Sequence, residues 1–365
     1  MEQTKVEVPQ LALLGGGVFV RTQYIPRLRE IAHLVSLKVL WSRSEESAKA
    51  AAALAQDFSP NVDIKWGDEG LNEIIQDKSI HGVAVVLAGQ AQVQVSMMML
   101  KAGKHVLQEK PAASSITEAM AALSFYRSLS MNVSRPPIWG VAENYRFEPA
   151  LLEAARLVKE LGDLMTVHFT VETPFNSSNP YFSSVWRRNF TGGFILDVGV
   201  HFIAGLRLVA GCEVTSVAAI SRHVDPSLPP PDNMSSLFQL ENGCAGVFSL
   251  SISSTTRKIC LRVVGSRGTI EVERGTKDGG HGYTLAYYPV AGVPQHSFYP
   301  FSGVNEELKA FVNDMVKAAS EDKEGVSLPD SRSSLVEGAR DVAVIEAMLQ
   351  SSAIQGALVH VEQLS

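Results

Sequence analysis

The sequence predicts an α/β chain: an N-terminal Rossmann dinucleotide-binding domain, then an α+β domain with a large, mostly antiparallel open sheet. Three observations carry this. Short apolar runs alternate with amphipathic stretches from Leu11 to about Asn144. A glycine cluster, Gly15-Gly16-Gly17, separates the first apolar run from the first amphipathic one. After Pro149 the apolar runs lengthen and succeed one another across tight turns. Strands alternating with helices imply right-handed crossovers and a doubly wound sheet, whereas consecutive strands joined by tight turns are antiparallel. The boundary is drawn to give domains 1–145 and 146–365.

In the first domain, Leu11–Leu14 runs into the glycines and a helix to about His33. Leu37–Trp41 is a second strand, Ser44–Gln56 a second helix, and Val83–Leu87 and His105–Leu107 are further strands around a helix from Gln92 to Ala102. Such brief apolar runs suit strands buried on both faces. In the second domain a helix from Ala150 to about Leu161 precedes strands at Met165–Thr173, Val214–Ser221, Ser235–Leu240, Ala245–Ile252 and Ile259–Val264. Further helices are expected at Gly192–Val209, near Asn305–Ala318 and at Ser331–Ser351.

Composition narrows the partners. The 365 residues carry a formal net charge of −6 with no Lys/Arg-rich run, which argues against nucleic acid and for a small-molecule substrate. Cys212, Cys244 and Cys260 are isolated and lack zinc-site spacing, so no metal site is expected. Met1–Gln10 is short and polar, unlike a secretory signal. No apolar run reaches the roughly 18–20 residues of a membrane span. A cytoplasmic enzyme, without membrane contact, is the expectation.

The glycines follow a strand and open a helix, the context of a dinucleotide fingerprint. Small residues let the backbone approach a pyrophosphate, and the helix N-terminus offers amide donors. Val20 occupies the fingerprint's third glycine position. A simple strand-to-helix turn is the competing reading. The second strand ends in Ser42-Arg43, with no acid before Glu45. A hydroxyl beside a guanidinium suits a 2′-phosphate, so NADP(H) is favoured over NAD(H). Arg43 as a solvated loop cation fits equally well.

A set of residues further on resembles a known family. Gly103-Lys104-His105-Val106-Leu107-Gln108-Glu109-Lys110-Pro111 resembles the G-K-H-V-x-x-E-K-P signature of the glucose–fructose oxidoreductase and inositol dehydrogenase (Gfo/Idh/MocA) family. Gly192 to His201 is similar to its G-G-x-x-x-D-x-G-x-H helix, and Asn144-Tyr145-Arg146-Phe147 with Pro149 to its N-x-R-F-x-P crossover. Val263–Ile270 and Ile345-Glu346-Ala347 resemble its sheet hairpin and closing helix. The resemblance implies an NAD(P)-dependent dehydrogenase or reductase acting on a sugar, cyclitol, polyol or dihydrodiol. It implies catalytic roles for Lys110, Asp197 and His201. One departure is Leu87-Ala88-Gly89-Gln90-Ala91-Gln92, where the family often has T-P-x-x-x-H.

The chemistry suits those residue types. Hydride transfer from an alcohol carbon needs a proton to leave the oxygen, and imidazole is a natural acceptor. Asp197 and His201, four apart, share one helix face, so the carboxylate can orient the imidazole or contact a substrate hydroxyl. Gly193 and Gly199 are expected to leave room for ligands. Lys110 follows a parallel strand at the edge where open α/β sheets bind ligands, and Pro111 stiffens its turn. The expected cofactor set is Gly15, Gly17, Val18, Phe19, Ser42, Arg43, Leu87, Gln92, Glu109 and Lys110. Asn144, Arg146, Trp186 and Arg187 are assigned to substrate, although a rim cation pair explains Trp186-Arg187-Arg188 as well. His105 is expected to be structural. A dinucleotide- or sugar-sensing protein of the same fold is the main alternative, and hydrolysis or elimination with a recycled NAD a lesser one. The open sheet allows a homodimer.

Overall fold

The computed structural model describes residues 8–190, 192–319 and 328–364. Most of the N-terminal stretch judged unlike a signal, Met1–Glu7, lies outside them. The chain forms two compact units. The first comprises Met1–Ala112, Met120–Ala142 and Val304–Leu335; the second comprises Ala113–Ala119, Glu143–Gly303 and Val336–Ser365. A single cut at 145 describes a simpler chain than this interleaved one.

The first unit holds a six-stranded sheet. Its elements are β1 (Gln10–Leu14), α1 (Ile25–Glu30), β2 (Ser36–Ser42), α2 (Glu45–Ala52), β3 (Asp63–Trp66), α3 (Gly67–Gln76), β4 (Gly82–Val85), α4 (Gly89–Lys101), β5 (His105–Glu109), α5 (Ile116–Met131) and β6 (Trp139–Ala142). All pairings are parallel, in the order β3-β2-β1-β4-β5-β6. That is the dinucleotide-binding arrangement, whose order reverses between β1 and β4. Leu11, Leu13, Leu40, Ala84 and Leu107 form its core with Tyr24, Ile25 and Leu28. A π-helical turn at Val20–Tyr24 precedes α1, with the Ile25 N–H bonded to the Val20 carbonyl. Pro26 explains the wider turn: it has no N–H for the Thr22 carbonyl, and its ring crowds the preceding turn. β3 and α3 escape the sequence pattern because β3 is a half-exposed edge strand of four residues.

The second unit contains α6 (Pro149–Leu157), β7 (Leu164–Pro174), α7 (Val185–Arg188), α8 (Gly193–Ala210), β8 (Val214–Arg222), β9 (Asn233–Leu240), β10 (Ala245–Ser251), β11 (Ser253–Gly265), β12 (Gly268–Lys277), β13 (Gly280–Pro289) and β14 (Gln295–Pro300). Then come α9 (Gly303–Ala319), nearly all of which returns to the first unit, α10 (Leu335–Ala353) and β15 (Val359–His360). The nine strands run β14-β13-β12-β11-β7-β10-β9-β8-β15, antiparallel except between β7 and β10.

α8 runs through this unit's core. Contrary to the expectation from the sequence, it is long and apolar enough to cross a membrane, but it is 83% buried inside the fold. Its apolar residues therefore face protein. A Cβ at Gly199 would lie 2.7 Å from Ile345 of α10, and one at Gly205 3.2 Å from Tyr145. Gly199 thus serves close helix packing rather than leaving room for a ligand. Gly193 likewise abuts the Pro230 carbonyl at 3.2 Å.

Candidate functional site

In the first unit the carboxyl ends of β1, β2, β4 and β5 carry the expected cofactor residues. The three glycines do three different things. Gly15 has φ +139°, its N–H donates to the Trp41 carbonyl at 2.7 Å, and a Cβ there would collide with the Val86 carbonyl. Gly16 lies against Ser47 of α2, whose hydroxyl donates to its carbonyl at 3.1 Å. Gly17 is exposed, and a Cβ there would meet nothing within 4 Å. The open backbone at the helix entrance is therefore at Gly17, followed by the partly buried Val18 and Phe19. Val20 is fully buried, so the missing third glycine is filled by core packing.

β2 ends in buried Ser42 and exposed Arg43, and Ser44 caps α2 by accepting from the Ser47 N–H. After β4, Leu87 is half-buried. Gln92, in the first turn of α4, is 1% exposed, and neither of its amide atoms has a hydrogen-bond partner. A buried carboxamide left unsatisfied costs about 1–3 kcal/mol per group, and a polar ligand could satisfy it. Open backbone at Gly17, a cation at Arg43 and an unsatisfied amide at Gln92 form a donor set that fits a dinucleotide.

β5 ends in Glu109, which is buried and accepts from the Tyr24 hydroxyl at 2.8 Å. Burial, with Glu109 adding to it, pushes the Tyr24 phenol well above its ordinary range, so it stays a donor. Glu109, expected to hold cofactor, is thus bonded within the protein, where it anchors the strand end that carries Lys110. Lys110 itself is partly buried. The Gln108 amide donates to the Ala112 carbonyl at 2.9 Å and accepts from the Trp139 indole at 3.3 Å, tying down the turn around Lys110-Pro111. His105 is structural: its Nδ1 accepts from the Ile138 N–H at 3.0 Å, and burial, with His81 nearby, pulls its pKa down to about 4.

In the second unit α8 presents Asp197 and His201 one turn apart. The Asp197 carboxylate is 4% exposed and accepts from Arg187 Nε at 2.9 Å. Arg187 also donates to Ser184 Oγ at 3.2 Å, and its guanidinium lies 4.1 Å from the Trp186 ring and 4.6 Å from the Tyr181 ring. The imidazole of His201 has another carboxylate: its Nδ1 lies 2.7 Å from Glu143 Oε1. Tyr145 stacks on the same ring at 5.1 Å. Glu143 is 1% exposed and also accepts from the Tyr145 N–H at 3.1 Å, so its carboxylate is held by its own turn.

Glu143 was missed in the sequence, although it stands directly before the Asn144-Tyr145-Arg146-Phe147 motif. Its partner is 58 residues away, and no spacing rule reaches that far. Arg146 requires correction. Its guanidinium is buried, ion-paired with Asp341 and bonded to the Glu337 carbonyl at 3.0 Å. Arg207 reaches the same Asp341 at 2.7 Å, and Glu213 and Glu337 besides. Arg146 therefore belongs to a buried charge network, not to a substrate surface. The Asn144 amide donates to Glu148 Oε1 at 3.4 Å, within its own turn.

Residues 10–134 match the family model described as an oxidoreductase family with an NAD-binding Rossmann fold, and residues 151–271 match the GFO/IDH/MocA C-terminal domain. The chain is 33% identical to dehydrogenase FPY6 of Fusarium mangiferae, over 95% of its own length and 97% of that protein. It is 26% identical to the trans-1,2-dihydrobenzene-1,2-diol dehydrogenase of Mus musculus, over 63% of this chain and 68% of the relative. Among solved structures, an inositol dehydrogenase homolog of Azotobacter vinelandii complexed with NADH and myo-inositol superposes with a TM-score of 0.77. Identity there is 20%, with 97% and 98% of the two chains covered, so that likeness shows the fold. By its two matched domains and its full-length relative, this chain belongs to the GFO/IDH/MocA family of NAD(P)-dependent oxidoreductases.

Proposed function

We propose that the enzyme moves a hydride between nicotinamide and a secondary alcohol or carbonyl of a small polyol, sugar, cyclitol or dihydrodiol, with NADP(H) preferred over NAD(H). The observation that carries this reading is the 2.7 Å contact between His201 Nδ1 and the buried Glu143 carboxylate. A carboxylate on Nδ1 sets the ring's tautomer and orientation and stabilises the imidazolium formed when the ring takes a proton. Proton exchange with a substrate hydroxyl then falls to Nε2. Asp197, ion-paired with Arg187, offers oxygen to a second hydroxyl. The Lys110 ammonium is assigned to polarising the reacting oxygen.

When bound, nicotinamide supplies the hydride acceptor or donor. The residues proposed to hold the dinucleotide are Gly17, Val18 and Phe19 at the pyrophosphate, Ser42 and Arg43 at the 2′-phosphate, and Gln92. The names of the relatives support a diol or polyol substrate.

The test is steady-state turnover of NADPH and NADH against a panel of sugars, cyclitols and diols. The expected result is faster turnover with NADPH, and a His201→Ala loss in kcat of about 10²–10⁴-fold, the usual yield of general acid–base catalysis. NADPH affinity should be unchanged in that variant. Full activity in His201→Ala would refute the mechanism, and equal use of NADH would refute the preference.

A further inference from the structure

Trp66 is the last residue of β3, and 43% of it is open to solvent. In the parallel ladder it is paired with Ser42, the last residue of β2. Both stand at the carboxyl edge of the sheet, where open α/β folds bind ligands. The turn that follows Trp66 is built rather than loose. Gly67 has φ +62°, a conformation that favours glycine, and its carbonyl accepts from the Trp41 indole at 2.9 Å. A Cβ on Gly67 would meet nothing within 4 Å, so that glycine serves backbone conformation, not packing.

The assignment of Ser42 and Arg43 to a 2′-phosphate fixes where the rest of the nucleoside lies. The base is attached to the ribose carbon next to the one carrying that phosphate, so it sits within a few ångströms of the end of β2. The neighbouring strand is about 4.8 Å away, and it ends in an exposed indole. Purines stack favourably on such rings, without any demand for hydrogen-bond partners. We propose that Trp66 is the platform on which the adenine ring of the dinucleotide lies. The inference rests on the nucleotide reading of Ser42–Arg43 and extends it to the base.

The experiment is calorimetric titration of NADPH and of 2′,5′-ADP, which contains only the adenine half, into wild type, Trp66→Ala and Trp66→Phe. Trp66→Ala should weaken both ligands by about tenfold, and Trp66→Phe by less than about threefold, as expected for one lost or retained stacking contact. Unchanged thermal unfolding would show that the variants fold. Wild-type affinity in Trp66→Ala overturns the platform and leaves the nucleotide site standing. So does a loss confined to NADPH, because the adenine half would then be unaffected. A wild type that binds neither ligand overturns the nucleotide reading, and the platform with it.

Discussion

The glycine turn of the first unit and the helix α8 of the second work in opposite ways. At Gly15–Gly17 the absence of side chains matters: backbone fits against Val86 and Ser47, and Gly17 stays open. On α8 the side chains matter, and each is held by a partner outside the helix, His201 by Glu143 and Asp197 by Arg187. A site made from backbone is written locally in the sequence. A site made from paired side chains depends on which distant residues the fold brings together.

That contrast can be broken at the glycines first. Gly15→Ala should cost about 2–4 kcal/mol of unfolding free energy, because it adds a collision with the Val86 carbonyl to a positive φ. Gly17→Val should leave chemical denaturation unchanged but raise the NADPH Kd at least about tenfold, since its side chain would project into the open space proposed for the ligand. Equal destabilisation by both would show that the turn is only a fold element. On the side-chain half, Glu143→Gln should lower kcat roughly ten- to hundredfold, because a neutral amide no longer stabilises imidazolium. KM and the melting temperature should change little. A pure stability loss with intact kcat would reduce Glu143 to packing.

A pH-dependent effect concerns His105, a titratable group outside both sites. Its pKa is about 4 in the fold, against about 6.5 for an unfolded histidine, so folding favours the neutral ring. The stability this contributes is full above about pH 6.5 and is lost as pH falls towards 4, by about 1–3 kcal/mol. Protonation would put a second N–H against the Ile138 amide. Urea titrations between pH 4 and 7 should show that slope, and His105→Asn, which keeps an acceptor for Ile138, should flatten it. An identical slope in the variant would assign the acid sensitivity elsewhere.

The same contrast explains what could be read beforehand. The doubly wound unit was legible because Leu11–Leu14 and Val83–Val85 are buried on both faces and read as continuous apolar runs, and Leu37–Trp41 is interrupted only by the half-buried Lys38. β3 was not, because a four-residue edge strand with no buried position has no such run. Asp197 and His201 were legible through the resemblance of Gly192–His201 to the family's helix, since their spacing alone does not mark a site, and their partners were not. Arg146 read as a substrate residue because nothing near it in sequence announces Asp341, 195 residues later. Glu109 belongs to a motif, yet its bond to Tyr24, 85 residues earlier, has no local signal.

The return of α9 to the first unit has a consequence for biogenesis. Leu308, Phe311, Val312 and Met315 belong to that unit's core, and Met315 packs where β4 has Gly82 in place of a side chain. At about 1.5–3 kcal/mol each, these four contribute roughly 6–12 kcal/mol of gross burial, comparable to the net stability of a whole domain. A nascent chain therefore exposes the apolar seat of α9 while the ribosome translates β7 to β14, eight of that sheet's nine strands. The nucleotide-binding half begins synthesis first and finishes folding late.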